Sequence, residues 1–375
     1  MDDTQYLLDE LKNPDWWVRR NAIKGLLTRP EDAYLPFLES ALRNHEDATL
    51  RNASMEFFKA MGSRALPSLI RLIGDDADEE ARLFAANLLG DIRDGTALSV
   101  LMPALKDPDT NVRIASAEAL GKIGLPSAIA ALSGALEDEP WVAQAAINSI
   151  GEIGGESALE VLYRCVEKDT YRGMAFEAIE RAGNSKSIRC LTAFVDKDDM
   201  RELALKAVVN ISEREKTRPA PGYFTAMVPM LIELQGSPRP DIGRAALIAL
   251  SWSADAKGIP YLVDALSNDE LQEYAIGGLM DIGRKAAPAI IDALKDTGRL
   301  QRCVLAKMLS MLGEQAALVQ FAEDNDPEVK VEAVLALGRI PTQRSVLLLS
   351  KMLSDPEEEI RSAAKRAIED LKRIM

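Results

Sequence analysis

Asp107-Pro108-Asp109-Thr110-Asn111-Val112-Arg113, leading into Ala119-Leu120-Gly121-Lys122-Ile123-Gly124, is a form that recurs along the whole 375-residue chain. With Arg113 as anchor, the equivalent positions are 19, 51, 82, 113, 143, 172, 201, 243, 272, 301, 330 and 361. Every step is 29 to 32 residues except one of 42. A period of this length marks a stacked array of small units in place of two or three separate globular domains.

The columns around the anchor define the unit. The residue before it is always apolar, from Val18 through Val112 to Ile360; three after it the side chain is small in eleven of twelve repeats, with only Val304 departing. Seven after it stands a large apolar residue, from Leu26 through Leu120 to Ile368. Offsets of −1, +3 and +7 share one face of an α-helix, and a small middle column lets a neighbouring helix come close. Asp-Pro or Asn-Pro ahead of the anchor (Asn13-Pro14, Asp107-Pro108, Asp326-Pro327, Asp355-Pro356) marks a turn and a helix start. Glycines eleven after it (Gly62, Gly124, Gly154, Gly183, Gly283) fit left-handed C-terminal caps. A second apolar-periodic segment, such as Leu98–Leu105, precedes each anchored helix. Each repeat is therefore a helix A, a turn, a helix B and a short link.

This pattern resembles HEAT repeats of the short bacterial and archaeal type also found in phycobilisome-lyase-like proteins. The resemblance implies an all-α, right-handed α-solenoid (an α-α superhelix) of about twelve HEAT-type hairpins, with B helices lining the concave side. The expected organisation is a single array over residues 1–375: repeats 1–7 over about 1–211, a loop insertion over 212–225, and repeats 8–12 over about 226–375. Pro219, Pro221 and Gly222 forbid a continuous helix through that insertion. Repeats 5, 8, 9 and 10 lack the basic anchor (Ala143, Gly243, Gln272, Gln301), which predicts looser packing there.

Forty-five Lys and Arg against fifty-nine Asp and Glu give a net charge of −14. Such a surface disfavours nucleic acid and anionic membrane and favours a basic partner. Cys165, Cys190 and Cys303 form no CxxC pair, and a buried, reduced role is expected. The first residues carry no apolar signal region and no 18-residue apolar run occurs, so a cytoplasmic location is expected.

His45, in the turn of repeat 2, is the only histidine. One histidine leaves no multi-histidine metal site and no triad beyond itself. No phosphate-binding or nucleophile-elbow motif occurs. The reading is a non-catalytic scaffold or adaptor with no cofactor and no metal, gripping a protein partner through the concave face and turn edges. The expected partner is a basic or helical segment of unknown identity, and a monomer is the favoured state. A bilin-lyase-like enzyme or chromophore chaperone is the rival that the repeat type implies; nucleic-acid binding is the other.

Two residue sets follow. Asp76, Arg82, Asp107, Arg113, Asp355 and Arg361 repeat a six-residue acid–base spacing, which predicts a structural ladder with Arg113 mostly buried. Trp16, Trp17, Trp141 and Trp252 occupy columns that are otherwise mostly polar, which marks them as exposed contact residues. For Trp16 and Trp17 a role in closing the first repeat is the alternative. Leu83, Phe84 and Ile114 in repeats 3–4, and Ile248 and Tyr274 beside Trp252 in repeats 8–9, complete the candidate contact set.

Overall fold

The computed structural model describes residues 3–75, 78–195, 197–220, 222–293 and 299–374, with the side chains of residues 75, 293 and 299–301 outside that description. Among the described residues there is no β-strand, and twelve helical pairs follow one another in the expected phase. The B helices fall where the anchor columns place them: Trp16–Leu26, Ala48–Met61, Glu79–Ile92, Thr110–Ile123, Pro140–Ile153 and Arg172–Ala182 in repeats 1–6. Repeats 7–12 supply Arg201–Arg214, Pro240–Ser253, Gln272–Ile282, Arg299–Met311, Pro327–Leu337 and Glu358–Ile374. The chain divides into two compact units, Met1–Cys190 and Leu191–Met375.

Burial follows the columns. At +3, Ala85, Ser116, Ala146, Ala204, Ala246 and Ala333 are sealed from solvent; at +7, Leu26, Phe58, Leu89, Leu120, Ile150, Leu250 and Leu337 are likewise. Each large apolar side chain so buried contributes about 1.5–3 kcal/mol. No single hairpin encloses these side chains, so the stack is the unit of stability.

The turns explain why the chain folds back at each anchor. Asp15, Asp47, Asp78, Asp109 and Asp326 cap their B helices by accepting from backbone amides of the first turn. At the other end, Gly124 closes its helix in the left-handed region. Gly62, Gly154 and Gly283 also take positive φ, but with ψ values near the extended range that glycine alone tolerates. Gly183 departs from expectation, with φ −67° and an extended ψ. Arg93 and Ala254 make left-handed caps without glycine.

Repeat 5 also departs from expectation, because it is not loose. A Cβ on Gly121 would lie 2.7 Å from Ser149 Cβ and 2.9 Å from its Cα, and one on Gly90 would lie 2.7 Å from Ala119 Cα. Gly151 meets Ala178 in the same way. The B helices of repeats 3–6 thus pack nearly backbone to backbone, and in repeat 5, where Ala143 stands in place of a basic anchor, this glycine column supplies the close fit.

The insertion is shorter and more ordered than a free loop. The B helix of repeat 7 continues through Ser212 and Glu213 to Arg214, and a short helical turn spans Gly222–Thr225. Pro221 lies outside the described residues.

Candidate protein-binding surfaces

The anchor arginines do two main jobs, beside which Arg172 and Arg201 pair with Asp169 and Asp198 of their own turns. First, the guanidinium groups of Arg19, Arg51, Arg113, Arg172 and Arg361 reach back to backbone carbonyls of their own turns. Arg19 Nη1 donates to the Asn13 and Pro14 oxygens at 2.8 and 2.9 Å, Arg113 to Asp107 O at 3.0 Å, and Arg361 to Asp355 and Pro356 O at 2.8 Å each. Gln272 repeats the contact to Leu266 O at 3.0 Å, so a neutral amide serves where the charge is gone. Second, the arginine hands its charge forward. Arg82 Nε and Nη2 both donate at 2.8 Å to the carboxylate of Asp107 in the next repeat, and Arg113 reaches Asp138, with Nη2 3.1 Å from Oδ1.

Of the two arrangements expected of the ladder, within a repeat or to its neighbour, the side-chain pairs Arg82–Asp107 and Arg113–Asp138 take the second in repeats 3–5. The side chains of Arg82, Asp107 and Arg113 are only 12%, 8% and 11% exposed. Burial pushes the Asp107 carboxyl up, but the Arg82 guanidinium and the Asp109 amide outweigh it and hold it below the usual carboxylate range. The Asp355 carboxylate caps its own turn through Glu357 N, and Asp76 lies outside the described residues.

His45 is held from the following repeat. Its Nε2 lies 2.8 Å from Asp78 Oδ2 and its Nδ1 2.9 Å from Glu80 Oε2. Hydrogen bonds to both carboxylates push the imidazole pKa above its ordinary value. The acids bind opposite ring nitrogens and so do not converge on one point. Among the described residues no group of three His, Cys, Asp or Glu side chains could hold a metal ion.

The tryptophans divide. Trp141 stands 68% exposed at the start of its B helix, and Trp16 and Trp17 are 57% and 53% exposed, edge to face with ring centroids 5.8 Å apart. Arg20 lies over Trp16 at 5.7 Å. The first pair therefore does not close repeat 1 against solvent. Trp252 corrects the expectation of exposure: only 5% of it is accessible, and Ile248 beside it is fully buried. The cause is the insertion, whose Phe224 is itself fully buried and packs on the indole with centroids 5.9 Å apart.

The remaining candidates are half-buried. Phe84 lies under the Arg51 guanidinium at 5.4 Å, and Leu83 and Ile114 stand one residue after their anchors. Tyr274 is already engaged, with its hydroxyl donating to Glu213 Oε1 at 2.5 Å. Burial and that bond push Tyr274 up to about 12. Glu213 also accepts from both terminal nitrogens of Arg244, at 3.1 and 2.6 Å.

One surface was not singled out by the sequence. On the B helices of repeats 4–6 a groove of about 490 Å³ is lined by Glu118, Lys122, Asn148, Glu152, Glu177 and Arg181, among others. Its cations are engaged: Lys122 bonds Asp91 at 2.8 Å and Arg181 bonds Asn148 at 3.0 Å. Among the described residues Glu118, Glu152 and Glu177 have no hydrogen bond or ion pair, and all three are exposed. The signal available in sequence was the +5 and +9 columns, which are polar in these repeats.

Residues 4–83, 66–144 and 316–373 match the HEAT-repeat family, more than half of the chain. The chain belongs to that family. No curated protein matches the sequence. Among solved structures, Kap121p bound to Ste12p aligns with 99% of this chain and 49% of its own at 16% identity, with a TM-score of 0.52. The Kap95:Nup1 complex aligns with 100% of this chain and 69% of its own at 14% identity and a TM-score of 0.51. An engineered protein aligns over 99% of both chains at 20% identity and 0.49. The chain spans about half the length of Kap121p. At these identities the likeness concerns the fold alone, an all-α HEAT solenoid. The subtype suggested by the phycobilisome-lyase-like repeats has no counterpart among these matches.

Proposed function

We propose that this protein is a non-catalytic scaffold whose first unit grips a basic segment of a protein partner along the B helices of repeats 4–6. The observation that carries this reading is the row Glu118, Glu152 and Glu177. Three exposed carboxylates without internal partners line one groove, in a unit whose other charges on that face are largely paired. Unpaired like charges 34 and 25 residues apart in sequence are a poor stabilising device and a good receptor for cations. The net charge of −14 draws such a segment in from a distance. The solved Kap121p and Kap95 structures named above are themselves complexes with protein partners, which supports protein binding as the use of the fold. Trp141 extends the surface at the turn edge, where an indole offers a cation or an apolar side chain a contact face.

Fluorescence anisotropy with a labelled dodecapeptide of alternating arginine and glycine tests the reading. Binding is expected to weaken with salt and to be lost when Glu118, Glu152 and Glu177 are all changed to Lys. An acidic peptide of the same length serves as the control. Equal binding of the basic peptide by the parent and the triple variant sinks the assignment.

A further inference from the structure

The second unit carries a segment of its own chain across the columns that stay open in the first. After Arg214 the backbone turns out of the helix through Lys216, at φ +51°, with Thr217 N bonded back to Ser212 O at 2.9 Å. Arg218 then reaches over two repeats. Its Nη2 donates to Ser251 O at 3.1 Å, in the last turn of the repeat 8 B helix, and its guanidinium pairs with Asp281 on the repeat 9 B helix. The segment is rooted by Phe224 on Trp252 and by Thr225 Oγ1, which donates to Ser253 O at 3.3 Å.

The two ends of this strap are held differently. Phe224 is sealed in the core, whereas the Arg218 and Asp281 side chains are 41% and 40% exposed. A pair that wet is screened and weak, so the clasp can open while the root stays shut. The receptor it leaves is built for a guanidinium: a last-turn helix carbonyl with the negative end of the helix dipole behind it, and a carboxylate on the neighbouring helix. Asp281 stands nine after its anchor, the column that holds Glu152 in the open groove of the first unit.

We infer that Arg218 is a tethered competitor: it fills on the second unit a site for a partner's cationic side chain, and its release opens a second binding position for a basic segment. The inference rests on the proposed scaffold function and adds to it a count of sites and a residue that controls the count. A tethered side chain acts at an effective concentration on the order of millimolar, which is enough to keep a weak second ligand out.

The test uses the full chain and the labelled arginine–glycine dodecapeptide, with stoichiometry read by titration at protein concentrations well above the dissociation constant. The parent protein is expected to bind one equivalent and Arg218→Ala two. Arg218→Ala combined with Asp281→Asn is expected to return to one. Thermal melts followed by circular dichroism confirm that both variants fold. In parallel, Asp281→Asn should speed tryptic cleavage of the strap after Lys216 several-fold without moving the melt, the Arg218–Pro219 bond being resistant to trypsin. One equivalent bound by both parent and Arg218→Ala overturns this inference and leaves the scaffold reading standing. No binding by the parent sinks both. A cleavage rate untouched by Asp281→Asn also overturns it, since the clasp would then not hold the strap.

Discussion

The same helix columns are treated in opposite ways in the two units. In repeats 4–6 the +5 and +9 positions hold Glu118, Lys122, Asn148, Glu152, Glu177 and Arg181, and they line an open groove in which three acids are unsatisfied. In repeats 8 and 9 those columns hold Ile248, Trp252 and Asp281; the first two are buried, and Asp281 is taken by Arg218. Nearby, Arg244 and Tyr274 both engage Glu213. One periodic scaffold thus yields an available surface and a self-occupied one. The repeat fixes where a side chain points, and non-repeating residues decide whether solvent or protein meets it.

The largest effect that tests this contrast comes from the tryptophans. Trp252→Ala should cost about 3–5 kcal/mol in denaturant unfolding, as removal of a buried aromatic does. Trp141→Ala, on an exposed indole, should change stability by less than about 0.5 kcal/mol. It should nonetheless weaken capture of the basic peptide by more than about 1 kcal/mol. Comparable stability losses at both sites would erase the distinction between the units.

The forward ladder is the next test. Arg82→Ala strands the Asp107 carboxylate, 8% exposed, and should cost about 1–3 kcal/mol. Arg361→Ala removes only bonds to turn carbonyls and should cost about 1 kcal/mol. The Asp107 contribution also has a pH signature. Its folded pKa is depressed, so the stabilisation is full above the unfolded value near 3.9 and disappears as pH falls through the lower folded value. The acid limb of the stability profile should flatten in Arg82→Ala; an unchanged limb would remove the ladder from the account.

Glycines sharpen the comparison at a smaller scale. Gly121→Ala drives a methyl into Ser149 and should destabilise by about 1–3 kcal/mol. At Gly277 nothing lies within 4 Å of an added Cβ, and Gly277→Ala should stabilise by about 0.5–1 kcal/mol through helix propensity. Parallel melts of the two variants should therefore move in opposite directions.

The smallest effect belongs to His45. Because its folded pKa is raised, the stabilisation is complete below the unfolded value near 6.5 and is lost as pH rises through the folded value. The imidazole resonances of this single histidine should titrate above 6.5 in the parent, and lower in Asp78→Asn. A titration unmoved by that change would dissolve the His45–Asp78 contact.

The array was legible from sequence because its signal is periodic and its columns are chemical: apolar at −1 and +7, small at +3. What was not legible depended on contacts between repeats or on the insertion. The six-residue acid–base spacing was visible at Asp107 and Arg113, yet spacing cannot say that a carboxylate faces the preceding repeat. Gly121 stood in the quoted stretch itself, but a close approach is a property of two helices. Trp252 occupied a polar column, and only the covering strap with Phe224 explains its burial. The open groove was missed because Glu118, Glu152 and Glu177 matter through the partners they lack.

The forward hand-off of charge has a consequence for how such a chain can grow or shrink. Arg82 and Arg113 are separated by 31 residues, and so are their acceptors Asp107 and Asp138. Excising one whole period between them would leave Arg82 facing Asp138, a join with the same chemistry as the original. An excision of half a period would set a guanidinium against a helix face that has no acid to offer. Lengthening or shortening by whole units is therefore quiet at this seam, while any other change in length is punished at once, which gives the array a built-in unit of inheritance.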